Sequence, residues 1–327
     1  MAWQIKVLIH IPTMQTMAIG VSSLTSSRLA YGCWRVAGTW DCAQVTDSSR
    51  RAGREAIIAA YEAGYTLFDN ANIYCSGEAE RILGAVLKEI RGMREKVLIL
   101  TKCGIRAPGA PSPGSPQRYD FSAEHIIQSC EESLRRLAIE TIDIFMLHRP
   151  DYLADPAEIA QAFSQLKAAG KARYFGVSNF RPSLVTALQV ACPMPLVVHQ
   201  VEISLARLDA FTDGTLDQCL IESVTPQAWS PLAAGLIGAG ASALLPSQRS
   251  YRTEPIQAAL DVVARSRGVS RTVVALAWLL KHPARIQPIV GSVQPQRIRD
   301  AAGADSVELT REEWYQLLLA ARGEPLP

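Results

Sequence analysis

The sequence carries little charge of either sign and no long basic run. Charged residues make up 20% of the 327 residues, and the formal net charge is +2. The composition therefore gives no electrostatic case for binding nucleic acid or an anionic membrane. The one apolar run near the start, residues 5–11, is too short to span a bilayer. His10 and Pro12 interrupt it and no small-residue cleavage site follows, so we do not expect a signal peptide.

Paired cysteines and nucleotide-binding motifs are absent as well. The seven cysteines are scattered, odd in number and never spaced as CxxC. This pattern argues against a zinc ribbon or a disulfide framework and for free thiols in a reducing cytoplasm. No GxGxxG or Walker motif opens a predicted helix, so a bound nucleotide would have to be held in another way.

Strand-like and helix-like segments alternate from Arg28 onward, which indicates a parallel sheet. Eight strand–helix repeats over roughly 300 residues suit a (β/α)8 barrel, whereas a doubly wound open sheet normally has fewer strands. We therefore predict an α/β fold, a single-domain TIM barrel over 23–327 with extra helices near the C-terminus. Residues 1–22 are expected to be a strand that closes the bottom of the barrel or an N-terminal extension, with Met14 and Met17 as alternative starts. The predicted strands cover residues 28–32, 67–68, 96–102, 142–148, 172–179, 196–202, 226–232 and 285–292.

Capping residues predict where several helices begin. Ser76 is the predicted N-cap of the second helix, with Glu78 and Glu80 complementing the positive end of the helix dipole. Asp155 and Glu158 are predicted to form a capping box at the fourth helix.

Residues suited to chemistry stand at or just after the carboxyl ends of the predicted strands, which converge on one mouth in a barrel. They are Asp69, Lys102, His148, Asn179, Gln200 and Trp229, with Tyr74 in the loop after Asp69. Tyr74 is suited to donate a proton, since the ammonium of Lys102 would bring the pKa of the phenol nearer the working pH. Asp69 would hold Lys102 in its charged form, and His148 would orient the substrate oxygen.

These groups would protonate an alkoxide as it forms, as carbonyl reduction by hydride transfer requires. No side chain is a hydride donor, so the hydride must come from a cofactor. Ser178, Asn179 and Gln200 offer hydroxyl and amide groups suited to a nicotinamide carboxamide, and Trp229 offers a flat face for its ring.

Seven motifs stand in order after successive predicted strands. They are FDNANIY ending at Tyr74, TK ending at Lys102, LHRPD with His148, GVSNF from Gly176, HQVEIS from His199, WSPL from Trp229 and GSVQPQR from Gly291. Together they resemble the aldo-keto reductase family over nearly the whole chain. Other short segments of the sequence resemble a bacterial branch of that family, the YdhF-type oxidoreductases.

The resemblance implies an enzyme that reduces aldehydes or ketones to alcohols, with Asp69, Tyr74, Lys102 and His148 as its catalytic tetrad. It implies an extended NADPH without a Rossmann fold, and a small carbonyl compound as the partner. Ser292 and Arg297 match the positions that grip the 2′-phosphate, which favours NADPH over NADH. Trp229 stands where many members stack a tyrosine on nicotinamide. Further implied cofactor contacts are Gly32, Cys33, Trp34, Ser230, Leu232, Gly291 and Asp300. No metal is expected, and a monomer is the default.

Two other functions stay open at this point. A metal-dependent barrel hydrolase could use Asp69, His148 and His199, although paired ligands such as HxH are absent. A non-catalytic NADPH-binding redox sensor would keep the cofactor contacts but would not need the tetrad.

Overall fold

Eight parallel strands close into a barrel in the computed structural model, which describes residues 14–240 and 246–326. Each strand pairs with the next along the chain, and the last pairs with the first. The strands are β1 (Ala30–Gly32), β2 (Leu67–Asp69), β3 (Leu98–Cys103), β4 (Ile142–Leu147), β5 (Ala172–Ser178), β6 (Leu196–Glu202), β7 (Thr225–Trp229) and β8 (Gln287–Val290). All eight predicted strands are therefore confirmed, and most differ from the prediction only at their ends.

Helices surround the barrel and cover the outer faces of the strands. They are α1 (Asp47–Glu62), α2 (Glu78–Glu89), α3 (Ala123–Leu137), α4 (Pro156–Ala168), α5 (Pro182–Ala191), α6 (Thr215–Glu222), α7 (Glu254–Arg267), α8 (Arg271–Leu280), α9 (Pro295–Ala302) and α10 (Arg311–Arg322). The extra helices near the C-terminus are confirmed: α7 packs against both α8 and α10. There the rings of Trp278 and Trp314 stack with centroids 5.0 Å apart. No helix in the described ranges is both long and apolar enough to cross a bilayer.

An antiparallel hairpin, Thr16–Ala18 with Thr25–Ser27, lies at the amino ends of the barrel strands. Its turn places Ile19 and Leu24 against apolar side chains of the barrel interior. Gly20 has a φ of +51°, and a Cβ there would lie 2.6 Å from the backbone oxygen of Val197 on β6. Glycine is therefore needed where the hairpin turn packs closely against this strand. Residues 1–13 lie outside the described part of the chain, so the division into 1–22 and 23–327 stays a prediction.

The start of α2 differs from the prediction. Cys75 and Ser76 have positive φ values and Gly77, at φ +83°, is the N-cap, so Ser76 does not cap the helix. Glu80 lies in the first turn of α2, as predicted, but its side chain is fully buried. Its buried carboxylate accepts from Thr101 Oγ1 at 2.6 Å and from Arg136 Nε at 2.6 Å.

The predicted capping box at α4 is also only half present. Asp155 Oδ1 accepts from Ala157 N at 2.9 Å, as an N-cap does. Glu158 instead accepts from the backbone N–H of Ala123 at the start of α3, because α3 and α4 are neighbours on the barrel.

Candidate active site

A cavity of about 530 Å³ opens at the carboxyl ends of the strands. Most of the predicted site residues line it: Gly32, Trp34, Asp69, Tyr74, His148, Ser178, Asn179, Gln200, Trp229, Ser230, Leu232, Gly291, Ser292 and Arg297. Lys102 lies below its floor and is fully buried. Cys33 and Asp300 are not in its wall. Cys33 is fully buried, and the Asp300 carboxylate accepts from Ser270 Oγ at 2.7 Å between α8 and α9.

The ammonium of Lys102 is surrounded by three acceptors. Lys102 Nζ lies 2.7 Å from Asp69 Oδ1, 2.7 Å from the backbone oxygen of Asn70 and 3.3 Å from Tyr74 Oη. An ammonium has three hydrogens, and these contacts use all of them. Tyr74 therefore accepts from Lys102, and its own hydroxyl proton is left to be donated into the cavity.

The pKa values of this pair keep both groups protonated. Burial raises the pKa of Tyr74 above 10.0, although Lys102 opposes the rise. Lys102 does lower the pKa of the phenol, as expected from the sequence, but burial outweighs the ammonium and the net shift is upward. Burial alone would lower the pKa of Lys102, but Asp69 and Tyr74 hold it above its ordinary value.

His148 faces Tyr74 across the cavity floor, with ring centroids 5.8 Å apart. Burial, and then the positive charges of Lys102 and Arg149, hold the pKa of His148 well below 6.5. The imidazole is therefore neutral at neutral pH and offers one N–H as a hydrogen-bond donor.

A row of glutamines runs from the site into the barrel interior. Gln200 Nε2 donates to Asp69 Oδ1 at 2.9 Å and to Gln227 Oε1 at 3.0 Å. Gln227 Nε2 donates to Gln287 Oε1 at 2.8 Å, and Gln287 Nε2 donates to the hairpin residue Ser26 at 2.8 Å. Because both amide hydrogens of Gln200 are used, its oxygen is the atom left for a ligand in the cavity.

The outer end of the cavity contains a guanidinium. Arg297 on α9 is exposed, and its Nη2 donates to the backbone oxygen of Ala239 at 3.2 Å. Nearby, Tyr31 Oη donates to the backbone oxygen of Ser292 at 3.0 Å, which ties the loop after β8 to β1. The cavity thus has hydroxyl, amide and indole groups at one end and a cationic group at the other. This donor set fits a nicotinamide nucleotide laid across the mouth.

Sequence reasoning did not assign Arg149 and Gln227 a role. Arg149 lines the cavity directly after His148, and its guanidinium lies 5.4 Å from the Trp229 ring centroid. Its position one residue beyond the end of the predicted strand, 142–148, was the available signal. Gln227 is buried within β7, and its link to Gln200 depends on barrel closure, which no local pattern reveals. The described residues contain no group of three or more His, Cys, Asp or Glu that could hold a metal ion.

Comparison with known proteins gives a consistent result. The model of the aldo/keto reductase family matches residues 28–318. The chain is 39% identical to the 6-dehydroglucose reductase of Novosphingobium aromaticivorans over 94% of this chain and 96% of the relative. It is 35% identical to the oxidoreductase YdhF of Escherichia coli over 96% of this chain and 100% of the relative. The solved glycerol dehydrogenase AKR11B4 of Gluconobacter oxydans superposes with a TM-score of 0.82 at 25% identity, covering 95% of this chain and 97% of that one.

Proposed function

Because this chain belongs to the aldo/keto reductase family, we propose that it reduces an aldehyde or ketone to an alcohol with NADPH, using Tyr74 as the general acid. The observation that carries the proposal is the count of protons around Lys102. Its three hydrogens are used by Asp69, Asn70 and Tyr74, which leaves the Tyr74 proton for the substrate.

When NADPH is bound, its nicotinamide would supply a hydride to the substrate carbon. Ser178, Asn179 and Gln200 would hold the carboxamide, and Trp229 would provide a flat face for the ring. The neutral His148 donates an N–H to the substrate oxygen and aims it at Tyr74. Tyr74 gives that oxygen its proton as negative charge develops there, and the ammonium of Lys102, held by Asp69, stabilises the phenolate that remains.

NADPH is favoured over NADH because a guanidinium stands at the outer end of the cavity. Arg297 presents a planar fork of donors that suits a phosphate group. Ser292, also in the cavity wall, offers a hydroxyl. We propose that Ser292 and Arg297 would hold the 2′-phosphate.

The substrate is a small carbonyl compound, and we propose an aldehyde that carries several hydroxyl groups. A relative 39% identical over nearly its whole length is named 6-dehydroglucose reductase, after a sugar aldehyde. The cavity wall includes Gln117 and Arg149 as hydrogen-bond donors and the indoles of Trp34 and Trp40 as aromatic faces. Such a mixture of donors and aromatic faces suits a sugar-like substrate better than an apolar one.

Titration of the purified protein with NADPH and with NADH, followed by reductant consumption with sugar-derived and simple aldehydes, tests the proposal. We expect tighter binding of NADPH and faster turnover of the hydroxylated aldehydes. Arg297→Ala should raise the dissociation constant for NADPH by about tenfold or more and change that for NADH little. Arg299→Ala is the matched control, since Arg299 is an exposed arginine on the same helix that does not line the cavity.

Equal effects of Arg297→Ala on the two nucleotides would remove its role in phosphate recognition. Binding without turnover of any carbonyl compound would favour the redox sensor. A stoichiometric metal required for turnover would favour the hydrolase. A monomeric state and a cytoplasmic location stay predictions from the sequence.

A further inference from the structure

A second cavity of about 750 Å³ lies beside the active-site cavity, at the carboxyl ends of β5, β6 and β7. Three side chains line both cavities: Arg149, Asn179 and Trp229. Arg149 directly follows His148, which faces Tyr74 across the floor of the first cavity. Because consecutive Cα atoms are only about 3.8 Å apart, the second cavity begins next to the position proposed for the reacting carbonyl.

Charged side chains of both signs line the second cavity in equal number. They are Arg149, Arg181, Arg207, Glu202, Asp209 and Asp213. An anion bound there would face the three carboxylates, and a cation would face the three guanidinium groups. The composition of the wall therefore favours a neutral ligand that can both donate and accept hydrogen bonds.

Two of the guanidinium groups have all their hydrogens available for such a ligand. The Arg149 guanidinium lies 5.4 Å from the Trp229 ring centroid, and it makes no hydrogen bond or ion pair with the described residues. Arg181 is exposed at the start of α5, and its side chain likewise has no polar partner in the described ranges. Each guanidinium carries five N–H donors.

Two of the carboxylates each have one oxygen available as an acceptor. Asp209 Oδ2 pairs with Arg207 Nε at 2.8 Å. Asp213 Oδ1 accepts from the backbone N–H of Thr215 at 2.8 Å. The other oxygen of each carboxylate accepts no hydrogen bond from the part of the chain that the structure describes. The cavity therefore offers unused donors and unused acceptors together.

The same wall also contains apolar surface, from Trp229, Phe180 and Val201. A sugar ring matches this combination. Its hydroxyl groups both donate and accept hydrogen bonds, and its C–H groups can pack against an aromatic face. A purely apolar ligand would leave the charged groups without partners.

We propose that the second cavity binds a second sugar ring, joined by a glycosidic bond to the sugar aldehyde in the active-site cavity. This inference rests on the proposed function, because the reacting aldehyde occupies the first cavity. It makes the substrate a glycoside rather than a free monosaccharide. Arg181 and Asp209, which do not line the active-site cavity, then contact only the second ring.

The proposal is tested by steady-state reduction of two matched pairs of aldehydes at saturating NADPH. One pair is the C6 aldehydes of methyl α-glucoside and α,α-trehalose, and the other is those of methyl β-glucoside and β,β-trehalose. Within a pair, only the methyl or glucosyl group on the anomeric oxygen differs. In at least one pair the glucosylated aldehyde should have a kcat/KM about tenfold higher, through a lower KM, because the second ring takes no part in the chemical step. Equal values within both pairs would overturn the proposal.

Two variants then assign the preference to the second cavity. Arg181→Ala and Asp209→Asn should each lower kcat/KM for the preferred glucosylated aldehyde by about threefold to tenfold, as expected for one lost hydrogen bond. Neither should change the values for the methyl glucosides by more than about twofold. Arg135→Ala is the matched control, since Arg135 is an exposed arginine on α3 that lines neither cavity.

The outcomes separate this inference from the proposed function. A chain that reduced none of the four aldehydes and no other carbonyl compound would overturn both. A chain that reduced the methyl glucosides as well as the glucosylated aldehydes would overturn the inference alone. Variants that lowered kcat/KM equally for both members of a pair would also overturn it, because the second cavity would then not be specific for the second ring.

Discussion

At the scale of single residues, the site depends on where a few protons are held. Lys102 is fully buried, and the ammonium keeps its charge because Asp69 lies 2.7 Å away. The hydroxyl of Tyr74 accepts from this ammonium and keeps its own proton. This arrangement suits Tyr74 to the proposed role of general acid, because the ammonium would stabilise the phenolate left after proton transfer to an alkoxide.

Tyr74→Phe should lower turnover by about 10²- to 10⁴-fold while leaving the dissociation constant for NADPH within about twofold. The phenyl ring keeps the contacts with Trp40 and His148, so only the proton donor is lost. Stopped-flow turnover and fluorescence titration measure the two quantities. Tyr65→Phe is the control, because Tyr65 is a buried tyrosine that donates to Ile298 O away from the cavity. Near-normal turnover of Tyr74→Phe would remove Tyr74 from the mechanism.

The pKa shifts of the same residues predict a broad pH plateau for reduction. In the proposed mechanism, reduction needs Tyr74 protonated, and burial raises its pKa above 10.0. It also needs His148 neutral, and its pKa is lowered well below 6.5 by burial and by Lys102 and Arg149. The maximal rate of reduction should therefore be constant between about pH 6.5 and 10. Alcohol oxidation needs the phenolate and should rise with pH. A group that titrates near pH 8 in the reduction profile would contradict this assignment.

At the scale of secondary-structure elements, a buried carboxylate joins α2 to its neighbours. Glu80 contacts Thr101 on β3 and Arg136 on α3, and its side chain has no exposed area. Thr101 precedes Lys102, so this contact also supports the strand that carries Lys102. A carboxylate buried among hydrogen-bond donors is costly to remove, because its partners are left unpaired.

Glu80→Ala should lower the free energy of unfolding by about 3 kcal/mol, since it leaves the Arg136 guanidinium and the Thr101 hydroxyl without their partner. Glu78→Ala on the same turn should cost much less, because Glu78 pairs with Arg50, whose side chain is 48% exposed. Urea unfolding of both variants measures the difference. Equal losses would mean that the buried contact contributes nothing beyond an exposed ion pair.

At the scale of the whole molecule, buried histidines link folding to pH. Burial lowers the pKa of His199 from 6.5 to about 4. The unfolded chain therefore binds a proton below pH 6.5 that the folded chain does not take up until about pH 4. Stability contributed by this group is complete above pH 6.5 and is lost as the pH falls.

Between pH 6.5 and 4, the free energy of unfolding should fall by about 3 kcal/mol less in His199→Leu than in the unmodified protein, because the replacement removes the titrating group. Urea unfolding at pH 7, 5.5 and 4.5 would give the slope of the unfolding free energy against pH for the unmodified protein and for the variant. Carboxylates contribute equally to both, so the difference isolates His199. Parallel slopes would show that His199 titrates normally in the folded protein.

Predictions made from neighbouring residues were incomplete or wrong where contacts with distant residues determine the local structure. Serine is a common N-cap residue, but the chain turns through residues with left-handed backbone conformations before α2, and Gly77 rather than Ser76 is the N-cap. For Glu80 the sequence predicted only a favourable interaction with the helix dipole. Arg136, which is 56 residues further along, covers it. Neither result can be derived from a window of neighbouring residues, because each depends on how α2 packs against α3.

By itself, the sequence determined the eight strands, the barrel and the shared location of Asp69, Tyr74, His148 and Trp229 at one cavity. Apolar runs that end in polar residues form strands, and parallel barrel strands bring their carboxyl ends together. Only the tertiary structure decided the direction of the Tyr74 pKa shift, the row of glutamines below Asp69 and the hydrogen bond that the Trp229 indole donates to Asn179. These features depend on burial and on distances of a few ångströms between residues far apart in the chain, and closure of the barrel is what sets both.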